Sequence, residues 1–169
     1  RAGAGSTIGT AIAASATPDG YTILLTSNAL SVSSELYKNL PYNPVKDLAP
    51  ISLVAASPNV LVVNSSTPAS SVQGLIQLAK DKQSNLNYAS GGIGGSAHVC
   101  AEYFLGAAKI KVAHVAYKGT PPALTDLVAG NVQFMMAPIS PAFPLMKAGR
   151  IRALGVTSAK RTPLLPDVP

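Results

Sequence analysis

One stretch constrains this chain more than any other: Leu86-Asn87-Tyr88-Ala89-Ser90-Gly91-Gly92-Ile93-Gly94-Gly95-Ser96-Ala97-His98. A short extended run leads into four glycines within five positions, then a serine, then a helical pattern through Glu102 and Leu105. Glycine admits positive φ and lets another group approach the backbone closely. Ser96 is placed to cap the following helix, whose first N–H groups have no intrahelical partner. Free N–H groups at the positive end of a helix dipole suit a carboxylate or a phosphate. The alternative is a turn that is merely rich in glycine. The order strand, glycines, cap, helix favours an anion seat.

A chain of 169 residues can build one domain, or two small lobes, with a real core. Hydrophobic residues make up 47% and charged residues 12%, which excludes a disordered protein. No apolar run approaches the roughly 18 residues that a membrane-spanning helix needs. No leader peptide is read at the opening Arg1-Ala2-Gly3-Ala4-Gly5, which looks like the inside of a domain. Thirteen Lys and Arg against seven Asp and Glu give a net charge of +6. The cations are scattered over several elements, with no Trp and three Phe to stack on bases, so nucleic acid is not the expected partner. A basic surface that attracts small anions is the simpler reading. The single Cys100 permits no internal disulfide and no cysteine metal cluster, and His98 and His114 lack ligand spacing, so no metal is expected.

In order along the chain, Ile8 to Ala14 has a helical pattern after Gly3, Gly5 and Ser6. Tyr21 to Thr26 and Ile51 to Ala56 are continuous apolar runs expected to be buried strands. Thr26, Ser27 and Asn28 follow the first of these. Ligands of open α/β sheets bind beyond the carboxyl ends of strands, so these three either contact a ligand or simply cap the next turn. Leu40-Pro41-Tyr42-Asn43-Pro44 is loop. Asn59 to Asn64 is a further strand, separated from Ile51–Ala56 by Ser57-Pro58 and no helix. That arrangement departs from a simple βαβ repeat and fits a chain crossing between lobes. Val72 to Ala79 has helical spacing.

Three strand-to-helix junctions follow. The glycine stretch is the first. Lys111 to Ala116 leads through Tyr117-Lys118-Gly119-Thr120 into a helix opened by Pro121-Pro122. Val132 to Met136 leads through Ala137-Pro138 into a short helix ending near Lys147. Ile151 to Thr157 is the last strand, and the end of the chain is loop-like.

Gly92-Ile93-Gly94-Gly95-Ser96-Ala97 meets a loose dinucleotide fingerprint, but the strand that should supply an acidic residue about 20 positions on ends in Tyr117-Lys118. No phosphate-loop lysine follows the glycines, and there is no nucleophile elbow. A serine hydrolase would need Ser96 or Ser90 beside His98 or His114 with a carboxylate. Ser96 and His98, two residues apart at a helix start, point in different directions. Glu102 and Asp126 fall on separate helices. The residues read as binding equipment with no catalytic group and no cofactor.

Asp19-Gly20-Tyr21-Thr22, Leu40-Pro41-Tyr42-Asn43-Pro44-Val45-Lys46-Asp47, Asn87-Tyr88-Ala89-Ser90, Tyr117-Lys118-Gly119, Leu154-Gly155-Val156-Thr157-Ser158-Ala159-Lys160-Arg161 and Leu165-Pro166-Asp167-Val168-Pro169 occur in this order. Together they resemble the Bug receptors, the TctC family of tripartite tricarboxylate transporters. The resemblance implies an α/β, type II periplasmic-binding-protein-like fold: two three-layer lobes joined by hinge strands, closing over a small organic carboxylate. It implies a periplasmic monomer that hands its ligand to membrane permease subunits. Residues 1–57 and 156–169 then correspond to a first lobe that is incomplete, lacking the family's opening strand and Pro-Pro-Gly-Gly loop, and 58–155 to a complete second lobe. The same folds leave open a sensing or interaction module without transport, and a small hydrolase or transferase.

Carried over residue by residue, the resemblance places a second-lobe binding loop at Ser90, Gly91, Gly94, Gly95, Ser96 and His98, and a second one at Tyr117, Lys118, Gly119 and Thr120. It places a first-lobe loop at Thr26, Ser27 and Asn28. Many members carry an Asp after the strand that ends here in Met136; this chain has Ala137 and Pro138. A ligand amino group would have no carboxylate partner there, so a non-amino carboxylate is expected. Lys118 is either a long-range attractor or a surface charge. Bending is expected at Ser57-Pro58 and near Gly155.

Overall fold

Val60, Leu61, Val62 and Val63 put an apolar side chain on both faces of one strand, so both faces must be covered. The computed structural model describes residues 4–81 and 84–169 and places that strand inside a five-stranded sheet. The opening residues Arg1 to Gly3 lie outside the described residues. After a single 3-10 turn (Ala4–Ser6) come α1 (Thr7–Ala14) and α2 (Ala29–Leu36). Then follow β1 (Asn59–Asn64), α3 (Val72–Lys80), β2 (Asn87–Ser90), α4 (Ser96–Ala108), β3 (Ala113–Ala116), α5 (Thr120–Ala129), β4 (Phe134–Pro138), α6 (Ile139–Lys147) and β5 (Ile151–Val156).

The strand order is β3-β2-β4-β1-β5. β2 runs parallel to β3 and β4, while β1 runs antiparallel to β4 and β5. Strand alternation sorts the core into two layers. On one face Val60, Val62, Ala89, Met135 and Ala137 meet Leu124 and Leu127 of α5 and Ile139 and Ala142 of α6. On the other, Leu61, Val63, Tyr88, Phe134 and Met136 meet Leu75 of α3 and Ala101 and Leu105 of α4. The result is an α/β/α sandwich built from residues between Asn59 and Val156.

The helices begin and end for local reasons. Ser71 caps α3, its hydroxyl accepting the Gly74 N–H at 3.0 Å. Gly130 closes α5 in the left-handed conformation (φ 85), and the buried Asn64 side chain donates to the carbonyls of Leu127 (2.7 Å) and Val128 (3.1 Å). Orphan carbonyls at the helix end are thereby satisfied.

Three expectations are corrected. Tyr21–Thr26 and Ile51–Ala56 form no strand; Tyr21, Ile23, Leu25, Ile51, Leu53 and Val54 are exposed. A strand exists through its ladder partners, and among the described residues none lies beside either run. α2 forms where only a turn was expected. Ser96 is the first helical residue of α4, and Gly95 takes the N-cap place without a side-chain cap.

Candidate functional site

The register decides what can be neighbours. Asn59 of β1 lies opposite Pro138 of β4, and Val60 lies opposite Val156 of β5. Since β2, β3 and β4 are parallel, the carboxyl ends of β2 to β5 and the start of β1 share one end of the sheet. All three strand-to-helix junctions open there.

Two of these junctions are laced into one surface. The Tyr117 N–H donates to the Ser90 carbonyl at 2.9 Å, and the Gly119 N–H donates to the Gly91 carbonyl at 3.0 Å. Gly91 has no room for a side chain: a Cβ there would lie 2.9 Å from the Thr120 nitrogen and 3.0 Å from the Gly119 carbonyl carbon. Gly94 needs glycine twice over, with φ at +81 and Leu36 of α2 lying over it. α4 then starts at Ser96, and Val99 is its first residue to donate back, to Gly95 at 3.0 Å. Among the described residues the amides of Ser96, Ala97 and His98 therefore have no backbone acceptor, as the first N–H groups of a helix do. This is the most donor-rich of the three junctions. α5 has prolines at its second and third positions, which removes two N–H groups, and α6 carries Pro141.

A stack of rings supports the glycine loop. Tyr88, fully buried, stacks on His114 with centroids 4.6 Å apart, and His114 stacks on His98 at 4.4 Å. The Tyr88 hydroxyl bonds the Glu102 carboxylate. Burial, with that carboxylate, raises the Tyr88 phenol far above its usual range. His114 Nε2 lies 2.7 Å from Ser90 Oγ. Ser90 Oγ also accepts the Gly92 N–H at 3.2 Å, and His98 Nδ1 accepts the Gly94 N–H at 3.2 Å. Burial lowers the His114 pKa; His98 lowers it further and Glu102 opposes the shift.

Ser90 and His114 thus form the serine–histidine contact that a hydrolase would require. Ser90 is fully buried and engaged with Gly92, and Glu102 is turned to Tyr88. A sealed hydroxyl cannot reach a substrate carbonyl, so the pair is structural. His114 was weighed from the sequence only as a hydrolase or metal residue, not as part of the binding loop. The signal that would have found it is register, since Tyr88 pairs with His114 across β2 and β3.

The remaining candidates are placed as follows. The Tyr117 hydroxyl bonds Asp126 Oδ2 at 2.6 Å, and its pKa is pushed up to about 12 by burial and that carboxylate. Lys118 is exposed, Thr120 half-buried, Ala137 sealed in the core and Pro138 half-buried. Thr26, Ser27 and Asn28 are exposed at the start of α2. Ser27 Oγ accepts the Ala29 N–H at 3.3 Å, as a turn cap does. Leu36, at the other end of α2, touches the glycine loop, so about 12 Å of helix axis separates the two loops along α2. Cys100 is half-buried on α4, its sulfur 3.2 Å from Asn59 Nδ2.

A groove of about 530 Å³ lies elsewhere on the molecule, between α6, β5 and Leu164–Val168, and is lined by Phe143, Met146, Lys147 and Arg152. Arg152 donates to the carbonyls of Ala69 and Ser65, and Lys147 sits over the Phe143 ring. Its cations are already engaged, and its walls are mostly apolar.

An α/β sandwich whose glycine loop, helix start and neighbouring loop converge at one sheet end is the architecture of a small-ligand receptor lobe. The tripartite tricarboxylate transporter family receptor model, TctC, matches residues 1–169, and this chain belongs to that family. It is 39% identical over 169 residues to a UPF0065 protein encoded in a tcbD–tcbE intergenic region of Pseudomonas sp., covering 100% of this chain and 50% of that protein. The chain spans about half the length of the curated relatives it matches. Among solved structures, the periplasmic binding protein BugD superposes with a TM-score of 0.92 at 36% identity, over 99% of this chain and 56% of that one. An R. palustris protein solved with adipate gives 0.94 at 34%, over 100% and 57%. MatC of Rhodopseudomonas palustris, solved with malate, gives 0.87 at 30%, over 99% and 57%. The fold is that of the type II periplasmic binding proteins read from the sequence motifs.

Proposed function

We propose that this chain forms part of a periplasmic receptor that captures a small organic carboxylate at the glycine loop and passes it to the permease subunits of a tripartite transporter. The observation that carries the reading is the set of amides at Ser96, Ala97 and His98 at the end of the glycine loop, which have no backbone acceptor among the described residues. Each charge-assisted hydrogen bond to a carboxylate is worth roughly 1.5–3 kcal/mol, so two or three of them suffice for firm capture. The adipate and malate seen in two relatives are of the same ligand class.

In this reading 58–155 is one lobe, and 1–57 with 156–169 is part of the other. The rest of the family fold supplies the strands that Tyr21–Thr26 and Ile51–Ala56 pair with. The two crossings bend at Ser57-Pro58 and after Gly155. There Asn59 and Thr157 are tied by two hydrogen bonds, each of 2.9 Å, which hold the crossing strands together as the lobes move. The ligand carries no amino group, because Ala137 and Pro138 offer no carboxylate to meet one.

Isothermal titration of the full-length protein tests this reading. Malate, adipate or a related di- or tricarboxylate binds, and aspartate and glutamate bind more weakly. Tighter binding of the amino acids would overturn the ligand class; no binding by any carboxylate would overturn the seat.

A further inference from the structure

Besides its backbone bonds from Tyr117 and Gly119, the glycine loop is pinned at Ser90 and Gly94 by imidazoles that stack on one another. On that geometry we propose that His114 is a positioning residue for the glycine loop: by bonding Ser90 and stacking on His98, it holds the loop in its anion-accepting shape. The proposal rests on the reading of that loop as a carboxylate seat.

The bonding leaves little freedom. His98 Nδ1 accepts the Gly94 N–H at 3.2 Å, so that nitrogen carries no proton. Adding one removes the acceptor and turns a donor toward a donor. Ser90 Oγ accepts the Gly92 N–H and lies 2.7 Å from His114 Nε2. With Nε2 unprotonated, the Ser90 hydroxyl proton points to it. Once Nε2 is protonated, it must donate to Oγ, and the hydroxyl proton turns to the Gly92 carbonyl, 3.2 Å away. Protonating His114 from the tautomer with Nε2 bare therefore rearranges the hydrogen bonds at Ser90 and Gly92.

The groups that face His114 are Tyr88 of β2 and His98 and Glu102 of α4. Two stacked imidazolium rings repel, while the Glu102 carboxylate is already turned to the Tyr88 hydroxyl. Burial and His98 together favour the neutral form of His114. The sign follows. Above the ordinary histidine range His114 is neutral and the loop is pinned at Ser90. As pH falls through the folded-state value of His114 that contact rearranges, and carboxylate affinity falls. A bare imidazolium beside the ligand would act in the opposite sense and tighten binding in acid.

The test follows the His98 and His114 rings and the Gly92 and Gly94 amides by NMR in the full-length protein. The pH is lowered from about 7.5 to 5.5, across the range in which histidine titrates. The Gly92 amide is expected to titrate with the His114 ring and to lose that midpoint in His114→Gln. Malate titrations are run in parallel, and the ionisation of malate itself cancels between wild type and variant. Wild-type affinity falls about tenfold more than that of the variant across this range, the size of one pKa unit of coupling. A Gly92 amide that stays still while the His114 ring titrates would overturn the proposal, as would tighter malate binding in acid. If neither malate nor adipate binds at any pH, the carboxylate reading fails, and the amide titration alone decides the role of His114. Should His114→Gln not fold, the wild-type ring and amide curves still decide it.

Discussion

Val60–Val63 and Ile51–Val54 are both short, mostly aliphatic runs on either side of Ser57-Pro58, and they occupy opposite environments. Val60, Val62 and Val63 have no exposed surface at all, whereas Ile51, Leu53 and Val54 are 82%, 84% and 76% exposed. Composition does not separate them; partners do. β1 lies between β4 and β5, and its ladder groups are paired on both sides. Ile51–Ala56 and Tyr21–Thr26 have no neighbouring strand among the described residues. Full burial is worth roughly 1.5–3 kcal/mol for each large aliphatic side chain, so these runs forgo on the order of 10 kcal/mol. An exposed apolar surface of that kind marks an interface. On our reading it is the sheet of the other lobe.

The largest effects should come from truncating the two regions side by side. Phe134→Ala, in the core, is expected to cost about 3–5 kcal/mol in denaturant unfolding of the 169-residue chain. Leu53→Ala or Ile23→Ala should cost under about 0.5 kcal/mol there. In the full-length protein the same two changes should cost about 2–4 kcal/mol, because the side chains are then buried. A negligible cost in both proteins would break the comparison.

Gly91→Ala comes next. Its Cβ meets backbone at 2.9 Å, so a loss of about 1–3 kcal/mol is expected, together with weaker carboxylate binding in calorimetry. Gly106→Ala, on α4 with open space around it, should instead stabilise by about 0.5–1 kcal/mol. Asn64→Ala leaves two carbonyls at the end of α5 without their buried donor, and chemical unfolding should show a loss of about 1–3 kcal/mol.

The smallest effect is the pH dependence of stability. The folded-state pKa of His114 lies below its ordinary 6.5, so the unfolded chain binds more protons between the two values. Stability is full above about pH 6.5, declines as pH falls toward the folded-state value, and levels off below it. Melting curves over that range should show a shallower decline for His114→Gln.

Much of the fold from Asn59 to Val156 was legible because local pattern and tertiary partner agree there. The β1 run, the glycine stretch and Gly130 each sit where their chemistry places them. The misses have separate causes. Tyr21–Thr26 and Ile51–Ala56 carry a strand pattern that finds no partner strand among the described residues. α2 is rich in serine, a weak helix former that competes for backbone hydrogen bonds, so no helical signal stood out. Ser96 had the right chemistry for a cap one residue too late. Asn64 was legible only as the end of a strand; its bonds to Leu127 and Val128 join residues far apart in the chain. His114 had no local mark, and only its register opposite Tyr88 brings it under the loop. Ala137 follows the glycine loop's sheet edge in sequence logic, yet strand alternation turns it into the core.

The most direct test of the central claim maps malate or adipate onto the full-length protein by amide chemical-shift perturbation. The account predicts the largest shifts at Gly91 to Ala97 and at Gly119 and Thr120, with Ser96 and Ala97 foremost. Shifts confined to the groove between Phe143 and Arg152, with the glycine loop unmoved, would contradict it.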